Sequence, residues 1–215
     1  IELHTGDRAR EIDRDRKVVR SDKGVEIQYD SIVMATGSYP FVPQIPGITN
    51  SGVFVYRTID DLKHLIEYSK QAKRCAIIGG GLLGLQAAKA AHDIGLETHV
   101  IESAPRLMPR QIDDKGSQVL VAKIEALGVK VHLNRELKEV LGNRRVEGLK
   151  FGDDSQMPFD MLVVSAGVRP RDDLAKNSGL ELGARGGIAV DDHLRTSDPN
   201  IFAIGECALH AGMVY

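Results

Sequence analysis

The sequence predicts an α/β fold with a parallel sheet covered on both faces, and three observations in its 215 residues carry that prediction. The first is Cys75-Ala-Ile-Ile-Gly79-Gly-Gly81-Leu82-Leu83-Gly84-Leu-Gln-Ala-Ala, which reads as a buried strand, a glycine turn and the opening of a helix. In that context G-x-G-x-x-G is a dinucleotide fingerprint. Its first glycine permits the turn, its second lets backbone approach a pyrophosphate, and its third lets the helix pack close to the strand. The second is the strand Glu97-Thr-His-Val-Ile101, which ends at Glu102, 18 residues beyond Gly84. A carboxylate there accepts hydrogen bonds from an adenosine ribose and repels a 2′-phosphate. The third is an internal repeat: Ile32-Val-Met-Ala-Thr36-Gly37-Ser-Tyr-Pro40 aligns without gaps on Leu162-Val-Val-Ser-Ala166-Gly167-Val-Arg-Pro170.

The elements follow in order. Lys17–Arg20 and Val25–Gln28 flank Ser21-Asp-Lys-Gly24, a hairpin signal. Ser31–Ala35 is apolar enough to suggest a strand buried on both faces. Pro40, Pro43, Pro46 and Gly47 make an extended connector. Thr58-Ile-Asp-Asp61 has the form of a capping box, opening a helix whose apolar face is Ile59, Leu62, Leu65 and Ile66. The fingerprint helix is expected to run to about Ile94 and stop at Gly95. A further helix spans about Asp113 to Leu127, followed by a strand at Val129–His132. Leu137–Leu141, Val146–Phe151 and a piece near Met157 read as an antiparallel meander, then Met161–Ser165 as a buried strand. The remainder is loop-rich apart from strands Ile188–Val190 and Ile201–Ile204.

Composition narrows the function. Apolar residues make up 42% of the chain, so it can bury a core, and a net charge of −2 without a Lys/Arg block argues against nucleic acid or a membrane surface. No apolar run approaches the roughly 18 residues that span a bilayer. Two cysteines without C-x-x-C spacing suggest neither disulfide nor zinc, and fit a reducing cytoplasm. Cys75 reads as a small core residue, and Cys207 either as the same or as a cofactor neighbour. Of seven histidines, His99 and His132 read as ordinary sheet residues, His64 and His92 as helix-surface residues, and His210 as a candidate cofactor neighbour. No Ser-His-Asp order, H-E-x-x-H or C-x-x-C pairing is present, so hydrolase, zinc and dithiol chemistry have no support, and no catalytic side chain is singled out. Asp13–Lys17 and Asn143–Arg145 read as solvated hairpin turns.

These motifs resemble the flavin-dependent pyridine-nucleotide oxidoreductases over essentially the whole chain. The closing segment Thr196-Ser-Asp-Pro-Asn-Ile-Phe-Ala-Ile-Gly205-Glu206-Cys207 is similar to that family's second flavin signature, with Glu206 where the family usually has Asp. Glu206 resembles the branch of the large subunits of cytoplasmic NADH-dependent nitrite reductases. So do Ala35–Pro40, Val53–Thr58, Arg106–Gln111 and Gly167–Asp172.

The resemblance implies a Rossmann-like NAD-binding domain at 57–167, inserted between incomplete FAD-binding pieces at 1–56 and 168–215. It implies NADH contacts at Gly79, Gly81, Leu82, Leu83, Gly84, Glu102, Ala166 and Gly167, and FAD contacts at Thr36, Gly37, Arg57, Gly205 and Glu206. Gln86 departs from the glutamate the family commonly carries there. The implied activity is hydride transfer from NADH to FAD, with electrons passing to sirohaem and [4Fe-4S] centres outside this chain or to an acceptor protein. A homodimer is also compatible with the resemblance. A rubredoxin- or ferredoxin-type reductase, an NADH oxidase, and a nucleotide-binding fragment without activity are the alternatives. Gly79 and Gly167 lie 88 residues apart, so a first fingerprint is expected about 50 residues before Ile1. On that expectation the chain is an internal fragment that binds NADH and holds FAD weakly or not at all.

Overall fold

The computed structural model describes residues 2–214. In chain order the strands are β1 (Ala9–Asp13), β2 (Val18–Ser21), β3 (Glu26–Gln28), β4 (Ile32–Met34), β5 (Ser38–Pro40) and β6 (Val53–Val55). Then come α1 (Ile59–Ser69), β7 (Arg74–Ile78), α2 (Leu82–Asp93), β8 (Glu97–Ile101), α3 (Asp114–Ala126) and β9 (Lys130–His132). The strands β10 (Leu137–Leu141), β11 (Gly148–Phe151), β12 (Gln156–Met157), β13 (Met161–Val164) and β14 (Val168–Pro170) follow. The chain ends with α4 (Asp173–Asn177), β15 (Ile188–Val190), β16 (Ile201–Ala203), β17 (Ala208–His210) and β18 (Met213–Val214).

Two compact units result: residues 1–39 with 168–215, and residues 40–167 between them. The sequence reading grouped 40–56 with the first segment. In the structure they belong to the inserted unit because β6 is the edge strand of its sheet, and Pro46 O accepts a bond from Val140 N at 2.9 Å.

The inserted unit has three layers. Its sheet runs β6-β13-β7-β8-β9, with every pairing parallel. Side chains alternate along each strand. Cys75, Ile77, Met161 and Val163 pack with Ala87, Ala88 and Ala91 of α2, while Ala76, Leu162 and Val164 pack with Val140, Leu149, Phe151 and Phe159 on the meander side. Burial on both faces is why these strands read as unbroken apolar runs. The meander is the antiparallel sheet β10-β11-β12. The expected α/β class, parallel sheet with antiparallel meander, is therefore present.

The capping box forms as written. Thr58 Oγ1 accepts from Asp61 N at 3.1 Å, and Asp61 Oδ2 accepts from Thr58 N at 2.7 Å. The buried line of α1 differs from the expectation, however. Ile59 and Ile66 are exposed, and Leu65 is buried in the core against which Tyr68 packs, edge-on to Phe54.

In the other unit, β4 pairs in parallel with β16, its one partner among the described residues, and Met34 packs with Ile12, Ile201, Ala203 and Cys207. Val33 is 59% exposed, which corrects the expectation of a strand buried on both faces: a two-stranded sheet packs this unit's core against one side. Arg14, expected to be solvated, is half-buried, with Nε donating to Asp198 Oδ2 at 2.7 Å.

The repeat also takes part in pairing. β5 and β14, the tails of its two copies, form a two-stranded ladder where a connector and a loop were expected. Arg171 N donates to Gly37 O at 2.8 Å, and Phe41 N donates to Gly167 O at 2.9 Å. Each donor lies four residues past the glycine of its own copy.

One polar chain crosses the inserted sheet. His99 Nδ1 and His132 Nε2 are 3.0 Å apart, and His99 Nε2 is 3.2 Å from Glu97 Oε1. Bonds from Lys130, His99 and Arg74 hold the Glu97 carboxyl at about 2, so it is ionised and accepts from His99 Nε2–H. That fixes His99 Nδ1 as acceptor and His132 Nε2–H as donor. Desolvation pushes both imidazoles below their ordinary value of 6.5, with Lys130 opposing protonation of both, Arg74 of His99 and Arg135 of His132. The unfolded chain then binds protons more readily than the folded one. Stability is full above the ordinary imidazole value and falls as pH drops below it. Urea midpoints are expected to fall between about pH 7.5 and pH 5.5, with a shallower fall in His132→Phe; equal slopes in both chains would remove the pair from the account.

Candidate nucleotide site

The site in the inserted unit sits at the carboxyl end of β7 and β8. Gly79 has φ +111°, and a Cβ there would meet Ser165 O at 2.3 Å. A Cβ on Gly84 would come within 1.9 Å of Gly79 O, so α2 packs on the turn only because this residue is glycine. Gly81 differs from both. It is the N-cap of α2, and its would-be Cβ meets no atom within 4 Å.

The start of α2 is bare. It has no side-chain cap and no acidic residue in its first turn, whereas α1 is capped by Thr58 and α3 by Asp113. Its first N–H groups therefore face open space beside Gly81, an arrangement suited to phosphate oxygens. Leu82 and Leu83 stand exposed there.

Glu102 reaches the same turn. Its Oε2 accepts from Gly80 N at 2.6 Å, and its Oε1 accepts from Ala104 N at 2.7 Å and Ser103 Oγ at 3.2 Å. A carboxylate offers about four acceptor positions, so one remains for a ligand hydroxyl. The bond to Gly80 was not legible in the sequence, since it depends on the register that sets Ile78 beside Ile101. Ala166 and Gly167 follow β13 and are exposed, and a Cβ on Gly167 would likewise meet nothing within 4 Å.

The remaining candidates lie elsewhere. In the unit of residues 1–39 and 168–215, Thr36 Oγ1 donates to Arg171 O at 2.5 Å. Gly37 and Gly205 have open space where a Cβ would stand. Glu206 lies on a 3₁₀ turn, Gly205–Cys207, and its Oε2 accepts from Ser38 Oγ at 2.8 Å. Ser38 is buried, and its carbonyl accepts from Arg171 Nε at 3.1 Å. Sequence reasoning missed Ser38, although it lies inside the repeat. Arg57, before α1, is exposed, and its N–H bonds Asp61 Oδ2 at 3.2 Å. His210 Nε2 is 2.8 Å from Asp192 Oδ1 and lines a cleft of about 290 Å³ with Leu194, Ile204, Gly205 and Ala208.

Cys207 is buried in the core and donates to Ile204 O at 3.2 Å, so the structure supports its core reading. Cys75 is also buried, and desolvation pushes its thiol up to about 12. Neither is expected to react with a thiol reagent in the native chain at neutral pH, while both of the two cysteines should react in denaturant. Labelling of the native chain would show that β7 or the turn carrying Cys207 opens. Among the described residues no helix is long and apolar enough to cross a membrane, and no group of three or more His, Cys, Asp or Glu could hold a metal.

Comparison with known proteins identifies the family. A family model described as pyridine nucleotide-disulphide oxidoreductase matches residues 1–214. The nitrite reductase [NAD(P)H] large subunit of Klebsiella oxytoca is 50% identical over 215 residues, covering all of this chain and 22% of that protein. The chain thus spans about a fifth of that relative's length. Among solved structures, a ferredoxin reductase from Rhodopseudomonas palustris superposes with TM-score 0.90 at 35% identity, over 95% of this chain and 50% of that one. The water-forming NADH oxidase of Lactobacillus brevis, bound to NADH, gives TM-score 0.85 at 30% identity, over 94% of this chain and 46% of that one. The matched residues, the fold and the glycine turn together establish that the chain belongs to the pyridine nucleotide-disulphide oxidoreductase family.

Proposed function

We propose that this chain is the NADH-to-FAD electron-input module of a flavoprotein oxidoreductase, and that in a longer protein it serves reduction of nitrite to ammonia. The observation that carries the nucleotide reading is the bare start of α2 beside Gly81, with Glu102 one strand away. The nitrite reading rests on the 50% identity to the Klebsiella large subunit.

In this reading Gly79, Gly81, Leu82, Leu83 and Gly84 bed the pyrophosphate on the α2 N–H groups, and Glu102 takes a ribose hydroxyl. Ala166 and Gly167 leave backbone open at the end of β13 for the nicotinamide half. Thr36, Gly37, Arg57, Gly205 and Glu206 serve FAD, with Ser38 holding Glu206 for a ribityl hydroxyl. When bound, NADH supplies a hydride and FAD accepts it, so the protein contributes orientation and electrostatics rather than a side-chain acid or base. Sirohaem and [4Fe-4S] centres would belong to other parts of the longer polypeptide, or an acceptor protein would take the electrons.

Glu102 also sets cofactor preference, because a 2′-phosphate would meet its charge. Arg106 and Arg110 are the candidates to offset that repulsion, and Arg106 is engaged with Asp114 and Pro109 O. Titration of the chain with NADH and NADPH, followed by nicotinamide fluorescence, tests the reading. NADH is expected to bind at least about tenfold more tightly, a difference of about 1.4 kcal/mol. No binding of either would overturn the nucleotide site, and equal affinities would overturn the role of Glu102. A rubredoxin- or ferredoxin-type reductase or an NADH oxidase uses the same site. NADH-dependent nitrite consumption by the longer protein, with a higher KM for NADH after Gly81→Ala, separates these readings.

A further inference from the structure

Glu102 is one of two restraints on Gly80. The other comes from the loop after Glu102. Leu107 is fully buried, and its Cδ2 lies 2.4 Å from where a Cβ on Gly80 would stand. The next residue, Met108, donates its N–H to Gly80 O at 3.0 Å. Met108 holds φ +47°, a left-handed conformation uncommon for a residue with a side chain, and its carbonyl accepts from both Gln111 N and Ile112 N. The loop therefore closes on the glycine turn in one specific geometry.

That geometry is fixed from α3. Leu107 N donates to Ser117 Oγ at 3.0 Å, in a bond buried from water. Ser117 is itself 2% exposed, one of five buried polar or charged residues among those described. A buried hydroxyl inside a helix is an unfavourable choice unless it has a partner to serve. Here the partner is the backbone of the loop that presses on Gly80. Asp113 sets the start of the same helix by accepting Gly116 N at 2.8 Å.

We infer that Ser117 is a positioning residue for the adenosine side of the nucleotide site, acting through Leu107 and Met108 on Gly80. Ser117 does not touch the ligand in this scheme. It holds the 105–112 loop so that the Gly80 N–H stays aimed at Glu102, which leaves that carboxylate oriented toward a ribose. The inference rests on the proposed nucleotide reading and deepens it: the adenosine half would meet a preformed surface, while the nicotinamide half would not depend on Ser117.

The test compares the chain with Ser117→Ala and Ser117→Thr. Titration with NADH is set beside titration with reduced nicotinamide mononucleotide, which lacks the adenosine phosphate, and hydrogen exchange reports the 103–112 amides. Ser117→Ala is expected to weaken NADH about five- to tenfold, the scale of one buried hydrogen bond. It should leave the mononucleotide signal as in the parent chain and speed exchange at Leu107 and Met108, while Ser117→Thr, which keeps the hydroxyl, restores both. Unchanged NADH affinity in Ser117→Ala overturns the inference, and so does equal weakening of both nucleotides or unchanged exchange. Failure of the parent chain to bind NADH is a different result and overturns the nucleotide reading itself.

Discussion

Replacing Gly81 by alanine should leave the chain folded and weaken NADH binding, whereas replacing Gly84 should damage the fold. The two glycines are three residues apart in one motif, and their surroundings are opposite. Gly84 faces Gly79 O, which would lie 1.9 Å from the new methyl group. Neither backbone can retreat without pulling α2 off β7, so Gly84→Ala should cost at least the ~1–3 kcal/mol typical of overpacking. Gly81 sits at φ −84°, a conformation open to any residue, and meets nothing within 4 Å. Alanine is a poorer N-cap than glycine, by about 0.5–1 kcal/mol, a loss that a folded domain tolerates. The new methyl group would instead occupy the space through which a pyrophosphate approaches, and NADH affinity should fall by about tenfold or more. Melting curves and NADH titrations on the two variants check this pair. A Gly81→Ala chain that binds NADH like the parent would show that the open space is not the pyrophosphate bed.

Glu102 is the second position with a large expected effect, because it has two duties. Its carboxylate accepts from Gly80 N and Ala104 N in the protein, besides any hydroxyl it takes from the nucleotide. Glu102→Ala leaves both N–H groups without that acceptor, and a hydrogen bond to a charged group is worth about 1.5–3 kcal/mol. NADH affinity should then fall by about 100-fold, with a lower melting temperature. Glu102→Gln keeps one acceptor and turns an NH₂ toward the other N–H. Its affinity loss should be about tenfold, and its preference for NADH over NADPH should shrink because the negative charge is gone. Paired titrations of both variants with NADH and NADPH decide the matter. If Glu102→Ala gained NADPH affinity without losing stability, the bracing of Gly80 would be immaterial.

The sequence exposed those parts of the fold whose signals are local. The Thr58–Asp61 capping box and the stop of α2 before Gly95, at φ +91°, needed only a few neighbouring residues to be read. The alternation of Cys75, Ala76 and Ile77 between two layers follows from strand geometry once both faces are covered. Other features depended on partners distant in sequence. The ladder between Ser38–Pro40 and Val168–Pro170 was hidden because two proline-bearing tails read as connectors, yet a strand edge needs only some of its N–H groups. The bond from His132 to His99 appears only when β8 and β9 are in register. The short helix Asp173–Asn177 was lost in a segment read as loop, since one turn gives no period to detect. In the site, the glycines and Glu102 were readable from spacing. Ser38, Leu107 and Ser117 were not, because Ser38 reaches Glu206, Leu107 packs on Gly80 and Ser117 bonds Leu107 N through contacts that spacing does not encode.

The bare start of α2 has a consequence for how long the chain survives. Donor groups that no side chain satisfies are available to any nucleotide that binds the folded form alone, and such binding stabilises by mass action. At a nucleotide concentration of 100 times its dissociation constant the gain is about 2.7 kcal/mol, which thins the unfolded population about 100-fold. Where opening and closing are fast relative to cleavage, proteolysis follows that population. On the proposed reading, the missing cap would tie the lifetime of the polypeptide to its supply of reduced nucleotide, with the unliganded chain cleaved sooner than the liganded one.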